Sequence, residues 1–241
     1  MSDGTLRNPV QQAWFGKLSR LERYNAWLYR SVSAHVGKRI LEIGCGNGNM
    51  TKFFANADRV VAIDHDPSFV LDMRRRFEGV PNVTVLDCDF PAQYKSTECF
   101  DTVVCMNVLE HVRDEEAFLW EARSALVSGG NLILLVPAHH WLFGILDRHA
   151  GHLRRYSAGA LRTLLERVGF TVASINHLNV MGALGWFLTG RVLRQAVPSR
   201  VSFRTFNALT GVFLSFERIL RAAVPLPVGL SLLAVAQKRD T

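Results

Sequence analysis

The stretch that decides the fold reads Ile40-Leu-Glu-Ile-Gly-Cys-Gly-Asn-Gly-Asn49. An apolar run that carries Glu42 leads into glycines at positions 44, 46 and 48, and Asp64 follows sixteen residues after the last glycine. This spacing predicts a buried strand, a turn bare enough for a ligand to touch its backbone, a helix, and a second strand that ends in a carboxylate. Such an arrangement is typical of a site for a nucleoside cofactor.

The glycine spacing also indicates which nucleoside is favoured. A nicotinamide dinucleotide site needs G-x-G-x-x-G, but the sixth position counted from Gly44 is Asn49. A carboxylate at Glu42 would repel a pyrophosphate and attract an ammonium group. S-adenosylmethionine carries such an ammonium, and its ribose hydroxyls can donate hydrogen bonds to Asp64. The residues therefore favour S-adenosylmethionine.

Apolar runs and helical stretches alternate along the chain on both sides of this turn. Seven strands are predicted, at 39–43, 59–63, 83–86, 100–106, 131–136, 170–175 and 229–237. Helices are predicted between them at 49–57, 67–77 and 114–126, with a further helix that begins at Ser157. Strands that alternate with helices predict an α/β fold with a doubly wound, mostly parallel seven-stranded sheet.

The same pattern divides the chain into four parts. They are an N-terminal helical cap at 1–37, an α/β core that binds the cofactor at 38–178, a helical insertion at 179–228, and the last strand with its tail at 229–241. The insertion is much longer than an ordinary connection to a strand. It is rich in Phe, Leu, Val and Trp, and its arginines fall mainly off the apolar face. A substrate cap, a homodimer contact and a peripheral membrane contact are the alternatives for it.

Composition indicates which partners and which cellular compartment suit the protein. Lys and Arg total 28 against 21 Asp and Glu, a net charge of +7, which suits either an anionic partner or an ordinary basic surface. The four cysteines form no C-x-x-C pair, as expected for a reducing cytoplasm. The first residues lack the apolar core of a signal peptide, and charged residues interrupt each long apolar run. We therefore expect a cytoplasmic protein, with peripheral attachment to a membrane as the alternative.

Four segments, in order, resemble the class I S-adenosylmethionine-dependent methyltransferases, which have a Rossmann-like fold. They lie at 42–48, at Asp64, at 83–90 and at 105–112, and the resemblance covers about residues 38–178 and the last strand. It implies cofactor contacts at Glu42, Gly44, Cys45, Gly46, Gly48, Asp64, His65, Asp89, Phe90 and Asn107. Asp87 is the alternative to Asp89, and capping of the next helix is the alternative role for Asp64.

The loop beyond the fifth strand mixes polar and aromatic residues, at the edge where open α/β sheets hold substrate. Its Gly151-His152 pair and the earlier N-V-L-E-H-V run are similar to segments of ubiquinone-pathway O-methyltransferases. That similarity implies His152 at the active site, so His152 is the expected base, followed by His111 and His140. The expected substrate contacts are Trp141, Phe143, Arg155 and Tyr156.

Structural roles are the alternatives for several of these side chains. His152 and Tyr156 would then cap helix ends, while Glu110 and His111 would bond neighbouring backbone. Arg154 and Arg155 would either grip an anionic group of the substrate or form surface ion pairs.

A metal ion is not predicted. The ubiquinone-pathway enzymes can bind a divalent metal through glutamates and a histidine, but Asn107 stands at their first glutamate position. The adjacent pair His139 and His140 would point apart on an extended loop, and spacing indicates no third ligand.

The predicted function is methyl transfer from S-adenosylmethionine, which becomes S-adenosylhomocysteine, to a lipophilic or aromatic small molecule. One alternative is an RNA or protein methyltransferase, and another is a noncatalytic scaffold that binds the cofactor. A nucleic-acid partner is disfavoured, because the chain has no N-P-P-Y or D-P-P-Y motif and no separate RNA-binding module.

Overall fold

The computed structural model describes residues 22–94, 99–192, 211, 213, 217 and 227–239. Within these residues the sheet has seven strands: β1 Arg39–Ile43, β2 Arg59–Asp64, β3 Val83–Asp87, β4 Phe100–Met106, β5 Leu126–Pro137, β6 Phe170–Leu178 and β7 Ser231–Lys238. Their order is β3-β2-β1-β4-β5-β7-β6. The first five pair in parallel, while β7 lies antiparallel between β5 and β6. The predicted fold class is confirmed.

Helices cover the sheet on both sides. They are α1 Glu22–Val32, α2 Thr51–Phe54, α3 Pro67–Arg76, α4 Glu115–Ser124, α5 Ile145–Ala150, α6 Ala158–Arg167 and α7 Val180–Phe187. Short 3-10 turns occupy Ser33–His35, Leu109–His111 and His140–Leu142, and a π-helical turn at Leu188–Val192 continues α7. The side chains of Asp66, Asp114 and Ser157 accept hydrogen bonds from the first turns of α3, α4 and α6, which explains where these helices begin.

The centre of the sheet is buried on both faces, as expected of parallel strands covered by helices. Leu41, Val103 and Leu134, on three neighbouring strands, are completely buried. The registers place Ile43 beside both Ile63 and Cys105. The residues that follow β1, β2 and β4 therefore meet at one edge of the sheet, and this edge carries the candidate site.

Several boundaries differ from the sequence expectation. Strand β5 begins at Leu126 and not near 131, because a register irregularity between Phe100 and Thr102 lets Leu126 pair with Phe100. Helix α2 is shorter than the predicted helix at 49–57: it has a single helical turn, and the residues before it form hydrogen-bonded backbone turns. The first part of the predicted N-terminal helix and most of the insertion lie outside the described residues, so the division into four parts stays a prediction.

Among the helices that the structure describes, none combines the length and the apolar composition needed to cross a bilayer.

Candidate active site and cofactor cleft

The turn after β1 requires glycine at three alternate positions. Gly44, Gly46 and Gly48 have φ values of 75°, 52° and 75°, in the left-handed region that favours glycine. A Cβ atom at Gly44 would lie 2.3 Å from a methyl group of Val108, and one at Gly48 would lie 2.3 Å from the sulfur of Met73. A Cβ atom at Gly46 would meet nothing within 4 Å. The outer glycines are therefore needed for packing, and the middle one faces open space where a ligand can reach the backbone.

Asp64 ends β2 with its carboxylate turned toward this turn. Asp64 is only 6% exposed, and its carboxylate accepts hydrogen bonds from the amides of Gly46 at 2.8 Å and Asp66 at 3.0 Å. The cap of α3 is Asp66, so the capping role considered for Asp64 is wrong. Each carboxylate oxygen keeps acceptor capacity for a ribose hydroxyl. His65, next in the chain, is exposed.

Glu42 lies in β1 and is nearly completely buried. The hydroxyl of Thr51 donates a hydrogen bond of 2.6 Å to its carboxylate. Burial raises the pKa of Glu42 to about 8; the bond from Thr51 opposes this shift and the charge of Asp64 adds to it. A cationic ammonium group beside Glu42 would relieve the cost of ionising it. S-adenosylmethionine thus fits this site. The acid in β1 suits its ammonium group, the acid that ends β2 suits its ribose, and the open middle glycine leaves room for it.

The other predicted cofactor residues lie at the same edge. Cys45 is buried in the turn, and its amide donates to the carbonyl of Ile63 at 2.9 Å. Asn107, just after β4, is exposed and has a φ of 56°. Its amide donates to the carbonyl of Leu135 at 2.8 Å. The direct contact of each of these residues with the cofactor stays a prediction.

The segment after β3 supplies two further candidates. Asp89 is exposed, and its amide donates to the side-chain oxygen of Gln93 at 2.9 Å. The ring of Phe90 packs against Tyr94 and Phe118, with centroids 5.7 and 5.1 Å away. Asp87, the alternative to Asp89, is exposed at the end of β3 in register with Asp64. Both acids remain open as contacts of the adenine.

A buried charge network lies in the loop beyond β5, where the sequence predicts the acceptor site, and it is centred on Asp147 of α5. Asp147 is completely buried and accepts hydrogen bonds from Gly144 N at 2.9 Å, His152 Nδ1 at 2.9 Å, Arg155 Nε at 2.7 Å and Trp186 Nε1 at 3.3 Å. Burial alone would raise the pKa of Asp147, but the bond from His152 and the charge of Arg155 lower it below its usual value. Asp147 therefore stays ionised and holds its neighbours in place.

His152 is oriented by this carboxylate. Because Asp147 only accepts, Nδ1 of His152 is assigned as the protonated nitrogen, which leaves Nε2 as the acceptor. Nε2 lies 3.8 Å from a carboxylate oxygen of Glu110, and 13% of the His152 side chain is exposed. The ring of His111 contacts that of His152 edge to face, with centroids 5.1 Å apart. Two of the three predicted catalytic histidines are thus together, whereas His140 is exposed on the turn after β5.

Glu110 faces the histidine from the 3-10 turn after β4. The residue is completely buried, and neither side-chain oxygen has a hydrogen-bond partner among the described residues. Burial raises the pKa of Glu110 to about 7, against the lowering effect of the charge of His152. The structural role considered for Glu110 stays a prediction, whereas the one considered for His111 is supported by its Nδ1, which lies 3.0 Å from the carbonyl of Gly151.

Glu110, His111 and His152 also form a set of side chains that suits a divalent metal. One ligand atom from each lies within 4.8 Å of the others. Carboxylate and imidazole groups are common ligands of such ions. His139 is not part of this set, since its ring stacks on that of His177 at 4.9 Å.

Two predicted substrate contacts, Arg155 and Tyr156, bond within the protein through their polar groups, and their contact with substrate stays a prediction. Arg155 is 1% exposed and, besides Asp147, its guanidinium donates to the carbonyl of Ala138 at 2.9 Å. The hydroxyl of Tyr156 donates to Glu115 at 2.5 Å, and Arg154 forms an ion pair with the same carboxylate.

The other two expected substrate contacts are more accessible. Trp141 is half exposed, Phe143 is partly buried, and their contact with substrate stays a prediction.

The sequence analysis did not assign roles to Asp147, Trp186 and Thr51. Asp147 precedes His152 by five residues and belongs to no motif, and Trp186 reaches it from 39 residues away. Only the position of Thr51, one helical turn after the glycines, was a local signal for its bond to Glu42.

Comparisons with known proteins agree with this geometry. A family model described as a methyltransferase domain matches residues 12–175. A tRNA U34 carboxymethyltransferase of Pseudomonas fluorescens (strain Pf0-1) is 33% identical over 171 residues, which are 65% of this chain and 54% of that protein. The protein of the same name from Pseudomonas syringae pv. syringae (strain B728a) is 31% identical over 183 residues, 69% of this chain and 57% of that protein. The chain thus spans little more than half the length of these curated relatives.

Solved structures share the fold at low sequence identity. The N-methyltransferase NodS from Bradyrhizobium japonicum WM9, in complex with S-adenosyl-L-homocysteine, has a TM-score of 0.59 at 18% identity and covers 92% of this chain and 88% of its own. A putative methyltransferase of Haloferax volcanii, in complex with the Trm112 methyltransferase activator, has a TM-score of 0.65 at 16% identity and covers 98% and 100%.

Proposed function

This chain belongs to the methyltransferase-domain family and is an S-adenosylmethionine-dependent methyltransferase, and from that premise we propose that it methylates an apolar small molecule with His152 as the base. The observation that carries the proposal is the setting of His152. An oriented imidazole lies in a loop that exposes two large apolar side chains, Trp141 at 52% and Leu153 at 48%. Such a loop suits a lipophilic acceptor better than a highly charged one.

The residues around His152 have separate roles in the proposed reaction. When bound, S-adenosylmethionine supplies a methyl group already activated by its sulfonium, so the protein must chiefly align the acceptor in a site with little water. Asp147 orients His152, and Nε2 of His152 takes the proton from an acceptor hydroxyl or ammonium. The negative charge of Asp147, and that of Glu110 when it is ionised, stabilises the imidazolium that results. Arg155 balances the charge of Asp147 inside the protein.

A second candidate acceptor is tRNA, which the names of the curated relatives favour, against the sequence expectation. The net charge of +7 also suits a polyanion. A carboxymethyl group carries a carboxylate, however, and a cation near that carboxylate would favour its binding. In this chain Arg155 is paired with Asp147 and Arg154 with Glu115, while Glu110 would repel the group. In the part of the acceptor loop that the structure describes, these charges favour transfer of a methyl group over a carboxymethyl group.

Transfer of a labelled methyl group tests the acceptor class. Purified protein is incubated with a cell extract and S-adenosylmethionine labelled in its methyl group, and the label is measured in the organic-soluble, RNA and protein fractions. We expect label in the organic-soluble fraction, and none when Gly46→Arg protein is used. Label in a uridine of tRNA would overturn the small-molecule proposal in favour of the second candidate. Label in no fraction, from protein that binds S-adenosylmethionine, would favour a noncatalytic scaffold.

A further inference from the structure

An exposed apolar face lies beside the acceptor loop. It consists of large side chains that are 39% to 59% exposed: Trp141, Leu184, Phe187, Leu188 and Val192. They come from the turn after β5, from α7 and from the π-helical turn that continues α7. We call this set the apolar face.

The apolar face is held in one orientation by contacts on its inner side. The rings of Trp141 and Phe187 meet edge to face with centroids 6.2 Å apart, and Arg191 Nη2 donates to the carbonyl of Trp141 at 2.9 Å. Thr189 and Gly190 of the same π-helical turn are buried, and a Cβ atom at Gly190 would lie 3.1 Å from Leu146. One side of the segment therefore packs against the protein, while the other side presents its apolar groups outward.

Positive charge accompanies the apolar face. Arg191 is exposed among its side chains, and the sequence 193–226 adds five arginines and a single acid, Glu217. That acid is turned inward: it is 4% exposed and its carboxylate accepts from the amides of Asn179 at 2.9 Å and Val180 at 3.2 Å, at the start of α7. The only negative charge of this stretch is thus used inside the protein, and its remaining charges are positive.

We propose that the apolar face docks on a membrane surface that contains anionic phospholipids. Apolar side chains, including tryptophan, partition into the interface of a bilayer, and an arginine among them, here Arg191, is attracted to anionic head groups. A second copy of the chain fits less well, since a two-fold contact would bring Arg191 of both copies together. The proposal concerns where the protein lies and does not depend on the acceptor proposed above.

Binding to lipid vesicles tests this inference with the full-length protein. Cosedimentation is measured with vesicles of phosphatidylcholine alone and of phosphatidylcholine mixed with phosphatidylglycerol. We expect binding to the anionic vesicles, weakened by salt, and little binding to the neutral ones. Leu184→Ser combined with Phe187→Ser should lower the partition coefficient at least about tenfold, since it removes two large apolar groups from the contact.

A matched control is available elsewhere on the surface. Leu71 and Trp120 are 50% and 53% exposed, and they lie on α3 and α4. Leu71→Ser combined with Trp120→Ser should bind vesicles as well as the wild type, and thermal unfolding of both double variants verifies that they fold. Equal vesicle binding by both variants and the wild type would overturn the proposal. So would a dimer, detected by sedimentation velocity, that binds no vesicles and dissociates in the Leu184→Ser and Phe187→Ser variant.

Discussion

The cofactor turn and the acceptor network lie at the same edge of the sheet but are built from different ranges of the chain. In the turn, the bond from Thr51 to Glu42 joins residues 9 apart, and the bond from Gly46 to Asp64 joins residues 18 apart. In the network, the contacts of Asp147 with Trp186 and of Tyr156 with Glu115 join residues 39 and 41 apart. The first region is predictable from the sequence because its glycines and acids follow a recognisable spacing. The second depends on Asp147, which belongs to no motif. It combines contacts of Asp147 with His152 and Arg155, 5 and 8 residues away, with contacts between distant segments that form only in the folded chain.

The two regions also treat charge differently. Glu42 and Asp64 are two buried acids; burial raises the pKa of Glu42, the charge of Asp64 adds to this, and the arrangement suits the arrival of a cation. In the acceptor network, Asp147 is already neutralised by Arg155 at 2.7 Å. Substitutions in the turn should therefore act on cofactor affinity, and those in the network on turnover and folding.

Gly46→Arg should have the largest effect, because its side chain fills the open space in the cofactor turn. We expect no detectable binding of S-adenosylmethionine by calorimetry. Gly79→Arg is the matched control: Gly79 also has a left-handed φ, 78°, with nothing within 4 Å of an added Cβ atom, but it lies after α3. Both variants carry backbone strain, so unchanged affinity in Gly46→Arg would remove the turn as the cofactor site.

His152→Ala should lower turnover by about a hundredfold to ten-thousandfold, the usual contribution of a general base. The dissociation constant of S-adenosylmethionine should stay the same, because the residue belongs to the other region. Label transfer in the organic-soluble fraction gives the turnover, and His149→Ala, three residues earlier, is the control. Turnover at the wild-type rate in His152→Ala would show that another group takes the proton.

Asp147→Asn should destabilise the fold by about 3 kcal/mol, because Arg155 would then be buried without its counter-charge. Urea unfolding measures the free energy. Glu116→Gln breaks the exposed ion pair between Glu116 and Arg167 and should cost only about 0.5 kcal/mol. Equal changes in the two variants would contradict the role assigned to the buried pair.

The pH dependence of stability should distinguish Glu42 from Gln at the same position. The pKa of Glu42 in the folded protein, about 8, lies above its ordinary value near 4.5. The stability that this group contributes is therefore fully present below pH 4.5 and is lost as the pH rises through about 8. Glu42→Gln should remove that loss and raise the melting temperature at pH 8 by about 5 °C relative to the wild type, both without cofactor. Parallel pH profiles for the two proteins would show that Glu42 is ionised without cost.

Asp64→Ala should weaken the binding of S-adenosylmethionine by roughly 1 to 3 kcal/mol. The substitution removes the acceptor for the ribose and also the two bonds that hold Gly46 and Asp66. Asp64→Asn keeps one side-chain oxygen and should bind with intermediate affinity in the same calorimetric titration. Unchanged affinity in both variants would place the ribose elsewhere.

The sequence predicted what depends on periodicity and on local spacing. All seven strands, the cap at Ser157 and the placement of Glu42 and Asp64 belong to this group. The partners of Arg155 and Tyr156 were missed because an arginine or a tyrosine in a loop has the same local pattern whether it faces substrate or a buried acid. The proximity of Glu110 to His152 was missed for a related reason, since only the folded chain brings these two residues together.

The place of β7 in the sheet has a consequence for synthesis. The ribosome makes this strand after the other six described strands, yet it fills the position between β5 and β6. Until it emerges, β5 ends the nascent sheet with an unpaired edge, and β6 has not yet gained the neighbour with which it pairs. Such edges recruit other chains. Expression yield should therefore depend on a chaperone that shields this edge, and a premature stop before Ser231 should leave an aggregating product.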